Sequence, residues 1–166
     1  MNSKQGVKPR VKLLVAEDLR QETMGKFSLL GILPGERFLV GGPAPISPPG
    51  FPSVVFMIPS LAFVFIISGL EGNLAGKFSI LAPDGKSEAG RAEMVPTIAA
   101  QKNSPTIAFA IARPFAGPSF GEYTIQLDIG KRKWKFPLVI EKAPDTTQAP
   151  RKAAGKASHR RASSAR

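Results

Sequence analysis

The side chains whose type and spacing could do chemistry in this chain are cations. Lys131, Arg132, Lys133 and Lys135 crowd one short stretch, and Arg151, Lys152, Lys156, Arg160, Arg161 and Arg166 are strung along the C-terminal segment. Ammonium and guanidinium groups at this density neutralise phosphates, and the released counterions make such binding strong at low salt and indifferent to base sequence. The six later cations stand against one acid, Asp145, so residues 143–166 hold a net +5 of the chain's +11. Two readings of that segment stay open: a flexible polycation for nucleic acid or another anionic surface, and a solubilising extension without a dedicated partner. Trp134 stands among the first group and could stack on a base, but its alternation with Phe136 and Leu138 assigns it to a core. Arg160-Arg161-Ala162-Ser163 has the form of a basophilic kinase site, which chance explains in a segment this rich in Arg and Ser.

Other chemistry finds little support. Glu17, Asp18 and Glu22 are the one acidic cluster, but neighbours on a strand point to opposite faces, so Glu17 and Asp18 do not make a catalytic carboxylate pair. A hard-cation site needs more oxygen ligands at loop spacing. The glycines of residues 69–76 (GLEGNLAG) lack the P-loop Lys-Ser/Thr and a following helix, so they are read as turn glycines. Ser60 and Ser119 have no histidine partner in the fold, since His159, the single His, lies in the C-terminal segment. With no Cys there is no thiolate site or disulfide. The expectation is a protein that is not an enzyme and uses no cofactor or metal.

The elements that must position the first cationic group are the clearest in the chain. Tyr123, Ile125, Leu127 and Ile129 alternate with polar residues, Gly130 supplies a turn, and Trp134, Phe136, Leu138 and Ile140 alternate on the way back. This is a β-hairpin with an aromatic-rich inner face and a basic tip. Further strands are expected over 11–16, 27–33, 38–40, 78–82, 87–95 and 106–113, with polar connections at 17–26 and 99–105. Residues 41–52 (GGPAPISPPGFP) read as a Pro-rich surface loop. Residues 53–70 are apolar enough to suggest a membrane helix. Pro59 and the Val, Ile and Phe content instead favour a short strand, then a long central one covered on both faces. If one face were left uncovered, it would suit a homodimer interface. Pro83-Asp84-Gly85-Lys86 is a turn, and Pro137 implies an edge position or a bulge.

Eight or nine short strands without long helical periodicity predict an all-β fold, an antiparallel β-sandwich of immunoglobulin-like type. Gly121-Glu122-Tyr123 is placed as a tyrosine corner is in such folds. The 166 residues, 43% hydrophobic, allow one domain at 11–142, preceded by a loose lead-in at 1–10 and followed by a disordered tail at 143–166. The basic N-terminus is followed by too short an apolar run for a signal peptide, and a cytoplasmic location is expected.

KLLVAEDLRQE (residues 12–22) followed by GKFSLLGIL (25–33) resembles the opening of a family of small uncharacterised bacterial proteins. GEYTIQLDIGKRKWKFPLVIE (121–141) is similar to that family's closing Gly-x-Tyr hairpin, and APDGK (82–86) to its central turn. The resemblance spans most of residues 11–142 and implies an all-β domain of unknown function, with no functional residue to carry over. The functional expectation is a non-catalytic binding or scaffolding domain with a protein partner. The alternatives are a nucleic-acid accessory protein using its basic tail and a protein anchored in the membrane through residues 53–70.

Overall fold

Strict alternation over most of the chain decides the architecture. The computed structural model describes residues 8–42, 45, 54–89, 93–94, 97–101 and 104–144; residues 1–7, most of the Pro-rich loop and residues 145–166 of the basic tail lie outside these. Twelve strands run through the described residues. They are β1 (Arg10–Gln21), β2 (Phe27–Ile32), β3 (Arg37–Val40), β4 (Phe56–Ile58), β5 (Leu61–Ser68) and β6 (Gly72–Leu81), then β7 (Glu93–Met94), β8 (Thr97–Ala100), β9 (Thr106–Ala112), β10 (Phe115–Gly117), β11 (Gly121–Ile129) and β12 (Arg132–Lys142). The first sheet has the order β2-β1-β5-β9-β7 and the second the order β3-β12-β11-β6-β8, while β10 and β4 pair as a separate ribbon. Adjacent strands run antiparallel except β12 and β3, which are parallel.

The two large sheets share one apolar core. Leu61, Phe63, Phe65 and Ile67 of β5 enter it from the first sheet, and Phe78, Ile80, Ile125, Leu127, Leu138 and Ile140 enter from the second. Phe63 and Phe78 approach with ring centroids 5.1 Å apart, and Phe65 lies 6.2 Å from Phe136, so aromatic contacts tie the layers together. On β9 the small residues Ala108, Ala110 and Ala112 point inward, and the larger Ile107, Phe109 and Ile111 point outward.

That outward face is partly covered. Beyond Ala16 the β1–β2 hairpin folds over it, bringing Leu19 and Leu29 against Ala62, Val64, Phe109 and Ile111. Ala16 and Leu19 share this cluster although they differ in strand parity, so alternation breaks at Glu17-Asp18. Gly31 makes room for the bend: with φ at 63°, it lies where a Cβ would meet the Glu17 carboxylate at 2.6 Å.

Several expectations need correction. There are more than eight or nine strands, because β4, β7, β8 and β10 are two to four residues long and too short to show a period. Residues 17–21 continue β1 in place of a polar connection, because pairing with β2 supports them despite their polarity. Gly72 and Gly76 belong to β6, paired with β8 and β11, so the turn reading of 69–76 holds only for its first residues. Among the described residues of the expected edge strand at 87–95, Glu88 forms a bridge to Leu81 and Glu93–Met94 pair with β9 in the other sheet, while residues 90–92 and 95 lie outside the described residues. Part of the loop at 99–105 is strand, since Thr97–Ala100 pair with β6. Residues 56–58 and 61–68 are strands flanking Pro59, with β5 central and covered on both faces along most of its length. The membrane-helix alternative is thereby overturned, and no helix among the described residues is long and apolar enough to cross a membrane. Pro137 sits where β3 does not reach, since β3 pairs only with Val139–Lys142.

Candidate polyanion-binding face

The hairpin β11–β12 turns through Gly130 and Lys131, with Ile129 paired to Arg132. Gly130 has φ of 57°, a conformation glycine adopts without a Cβ clash, and its N–H donates to the Ala75 carbonyl at 3.2 Å. This second contact holds the basic tip against β6.

Register then sorts the charges. Asp128 is paired with Lys133 on β12 and with Lys77 on β6, while Gln126 is paired with Lys135 and Ser79. These residues alternate with the buried Leu127 and Ile129, so they share the outward face of the second sheet. Cross-strand neighbours on one face stand about 5 Å apart at Cβ, close enough to act on one another electrostatically. Lys77, Lys133 and Lys135 thus surround a single carboxylate, and Lys131 and Arg132 extend the positive field along the tip.

Asp128 is held rather than free. Its Oδ2 accepts a hydrogen bond from Gln126 Nε2 at 3.0 Å, and its Oδ1 lies 4.0 Å from Lys133 Nζ. Oδ1 is buried without a hydrogen-bond donor, so the ammonium compensates it by charge alone. One acid cannot neutralise three lysines, so this end of the face keeps a positive excess, while Glu122 and Glu141 stand at its other end.

Of the expected site residues, the structure brings Lys131, Arg132, Lys133 and Lys135 to one end of the second sheet. Arg151, Lys152, Lys156, Arg160, Arg161 and Arg166 lie outside the described residues. Trp134 packs against the core, on the side opposite Lys133 and Lys135. Lys77 joins the cluster from 54 positions upstream of Lys131; only cross-strand register places it there, and no local motif marks it.

The acidic cluster is engaged elsewhere. Arg113 donates from Nη2 to Asp18 and from Nε to Ser60 Oγ at 3.1 Å, and Arg20 pairs with the other Asp18 oxygen at 3.3 Å. Burial opposes the charge on Asp18, but hydrogen bonds from Arg113, Arg20 and the Leu19 N–H outweigh it and lower its pKa. Glu22 accepts from Ser28 Oγ at 2.7 Å. Beside this network Glu17, Phe38, Ile58, Pro59 and Ser60 line a cavity of about 280 Å³, with one carboxylate and one hydroxyl on otherwise apolar walls. The hydroxyl in that wall is the Ser60 Oγ that accepts from Arg113.

No protein-family model and no curated protein matches the chain.

Proposed function

We propose that this chain is a non-catalytic, cytoplasmic binding domain that holds the phosphate backbone of nucleic acid against the outward face of its second sheet. The basic segment after residue 144 adds nonspecific affinity. The observation that carries the reading is the register placing Lys77, Lys133 and Lys135 around Asp128, with Lys131 and Arg132 at the tip. A paired sheet presents these ammonium groups from an ordered backbone, so binding costs only the ordering of their side chains. The scaffold is best described as an immunoglobulin-like sandwich of the small bacterial family that its motifs resemble. The Tyr123 hydroxyl, donating to the Ser119 carbonyl at 2.6 Å as a tyrosine corner does, supports that description.

A salt series tests the reading. Affinity of the full chain for duplex DNA should fall steeply with salt, with a log–log slope of about −0.9 per phosphate neutralised. Replacing the six basic residues of 151–166 with Gln should reduce that slope without abolishing binding. Complete loss of binding in that variant would assign the activity to the tail alone.

A second reading has its own observation. β2 and β3 are the outer strands of their sheets, and Ile32 and Leu39 on them are 54% and 55% exposed. Unpaired strand edges with apolar side chains accept an added strand from a protein partner or a second copy. Concentration-dependent sedimentation distinguishes the second copy from a monomer.

A further inference from the structure

We infer that the cationic sheet face takes double-helical nucleic acid in preference to single strands and reads its backbone without reading bases; this rests on the polyanion reading above. Two features of the face carry it. The first is what the face presents. Toward the hairpin tip its outward positions are Lys77, Ser79, Thr124, Gln126, Asp128, Lys133 and Lys135, with Glu122 and Glu141 at the far end of the same face, while Tyr123, Trp134 and Phe136 point into the core. Proteins that hold single strands draw much of their affinity from bases stacked on exposed aromatic rings. Among the described residues this face offers no such ring.

The second feature is the shape of the charge. Lys77 stands on one side of β11, and Lys133 and Lys135 stand on the other, with Asp128 between. At about 4.8 Å per strand, Lys77 is roughly 10 Å from the column formed by Lys133 and Lys135, which are roughly 7 Å apart along β12. A single phosphate strand can follow that column or reach Lys77, and crossing between them brings it over the Asp128 carboxylate. A double helix presents two phosphate lines with a groove between, so cations meet phosphates on both sides while the acid faces the groove. The duplex also carries one charge per about 1.7 Å of axis, against about 3.4 Å for each strand alone. Ammonium groups on phosphates fix position and carry no base information.

The test uses the full chain and fluorescence anisotropy. The probes are a DNA duplex, an RNA duplex and a single DNA strand of about 20 nucleotides, long enough to span the face on a helix rising about 3.4 Å per base pair. Three proteins are compared: the natural chain, the triple variant K77Q/K133Q/K135Q, and the charge-preserving K77R/K133R/K135R. At about 0.1 M salt, at least one duplex should bind about tenfold or more tightly than the single strand, with duplexes of unrelated sequence equal. The Gln variant should lose that preference and the Arg variant keep it; whichever duplex leads names the natural source of the backbone. Equal affinity for duplex and single strand, or a preference surviving in the Gln variant with an unchanged melting temperature, overturns the inference and leaves the polyanion reading standing on the tail. Failure of the natural chain to bind any probe at low salt overturns both.

Discussion

Tyr123 shows how much of this fold is decided by single side chains. Its ring is fully buried, with centroids 6.0 Å from Phe56 and 5.7 Å from Phe115, and its hydroxyl reaches the Ser119 carbonyl. Burial raises the Tyr123 pKa, and the Ser119 hydrogen bonds only partly offset this. A raised pKa means the neutral phenol favours the folded state, so this stability is intact below the unfolded value and lost as pH rises through the folded one. Tyr123→Phe should cost about 1 kcal/mol in urea unfolding and make alkaline unfolding shallower. Gly117 lies against the same residues, where a Cβ would strike the Phe56 ring and the Tyr123 hydroxyl. Gly117→Ala should therefore destabilise by about 1–3 kcal/mol, read as a lower urea midpoint. At the acid end, Asp84 is lowered first by the Ser87 hydroxyl and then by the Lys86 and Ser87 N–H groups. A depressed carboxylate stabilises above its unfolded pKa and loses that contribution as pH falls through its folded one. That contribution should thus decline below about pH 4 and be absent in Asp84→Asn, read as a smaller difference in urea midpoint between neutral and acid pH.

Elements were legible where their signal was local. The β11–β12 hairpin alternates over nearly its whole length, and its turn glycine stands between the two runs, so sequence alone places strands, turn and inner face. Short or polar strands were not legible. Residues 17–21 look like a loop because Glu17, Asp18, Arg20 and Gln21 are polar, yet they form strand through pairing with β2 and contacts of Leu19. β8 is hidden by its length, and Lys77 by the fact that register between distant strands leaves no mark in either. The same holds for Arg113, which meets Asp18 and Ser60 across the fold. Because Arg113 pins the β1–β2 hairpin from β9's end, Arg113→Ala should speed amide exchange across Phe27–Ile32 while leaving β11 and β12 protected. Unchanged exchange across Phe27–Ile32 would show that the pin is dispensable.

At the scale of the whole molecule, charge and shape divide the surface. The first sheet is partly roofed by its own hairpin, whereas the hairpin-tip end of the second leaves lysines around Asp128, with Glu122 and Glu141 at the opposite end. Asp128 tempers that field, so Asp128→Asn should raise duplex affinity several-fold while Lys133→Gln lowers it. Effects larger than those of the same one-unit charge changes made on the first sheet would separate a specific face from the bulk effect of a chain carrying +11. The most direct measurement is an amide chemical-shift titration of the labelled full chain with a short DNA duplex. Shifts clustered at Lys77, Ser79, Gln126, Asp128, Lys133 and Lys135, and fading as salt is added, are expected. Shifts confined to residues 145–166, with β6, β11 and β12 unmoved, would contradict the assignment of binding to the sheet face.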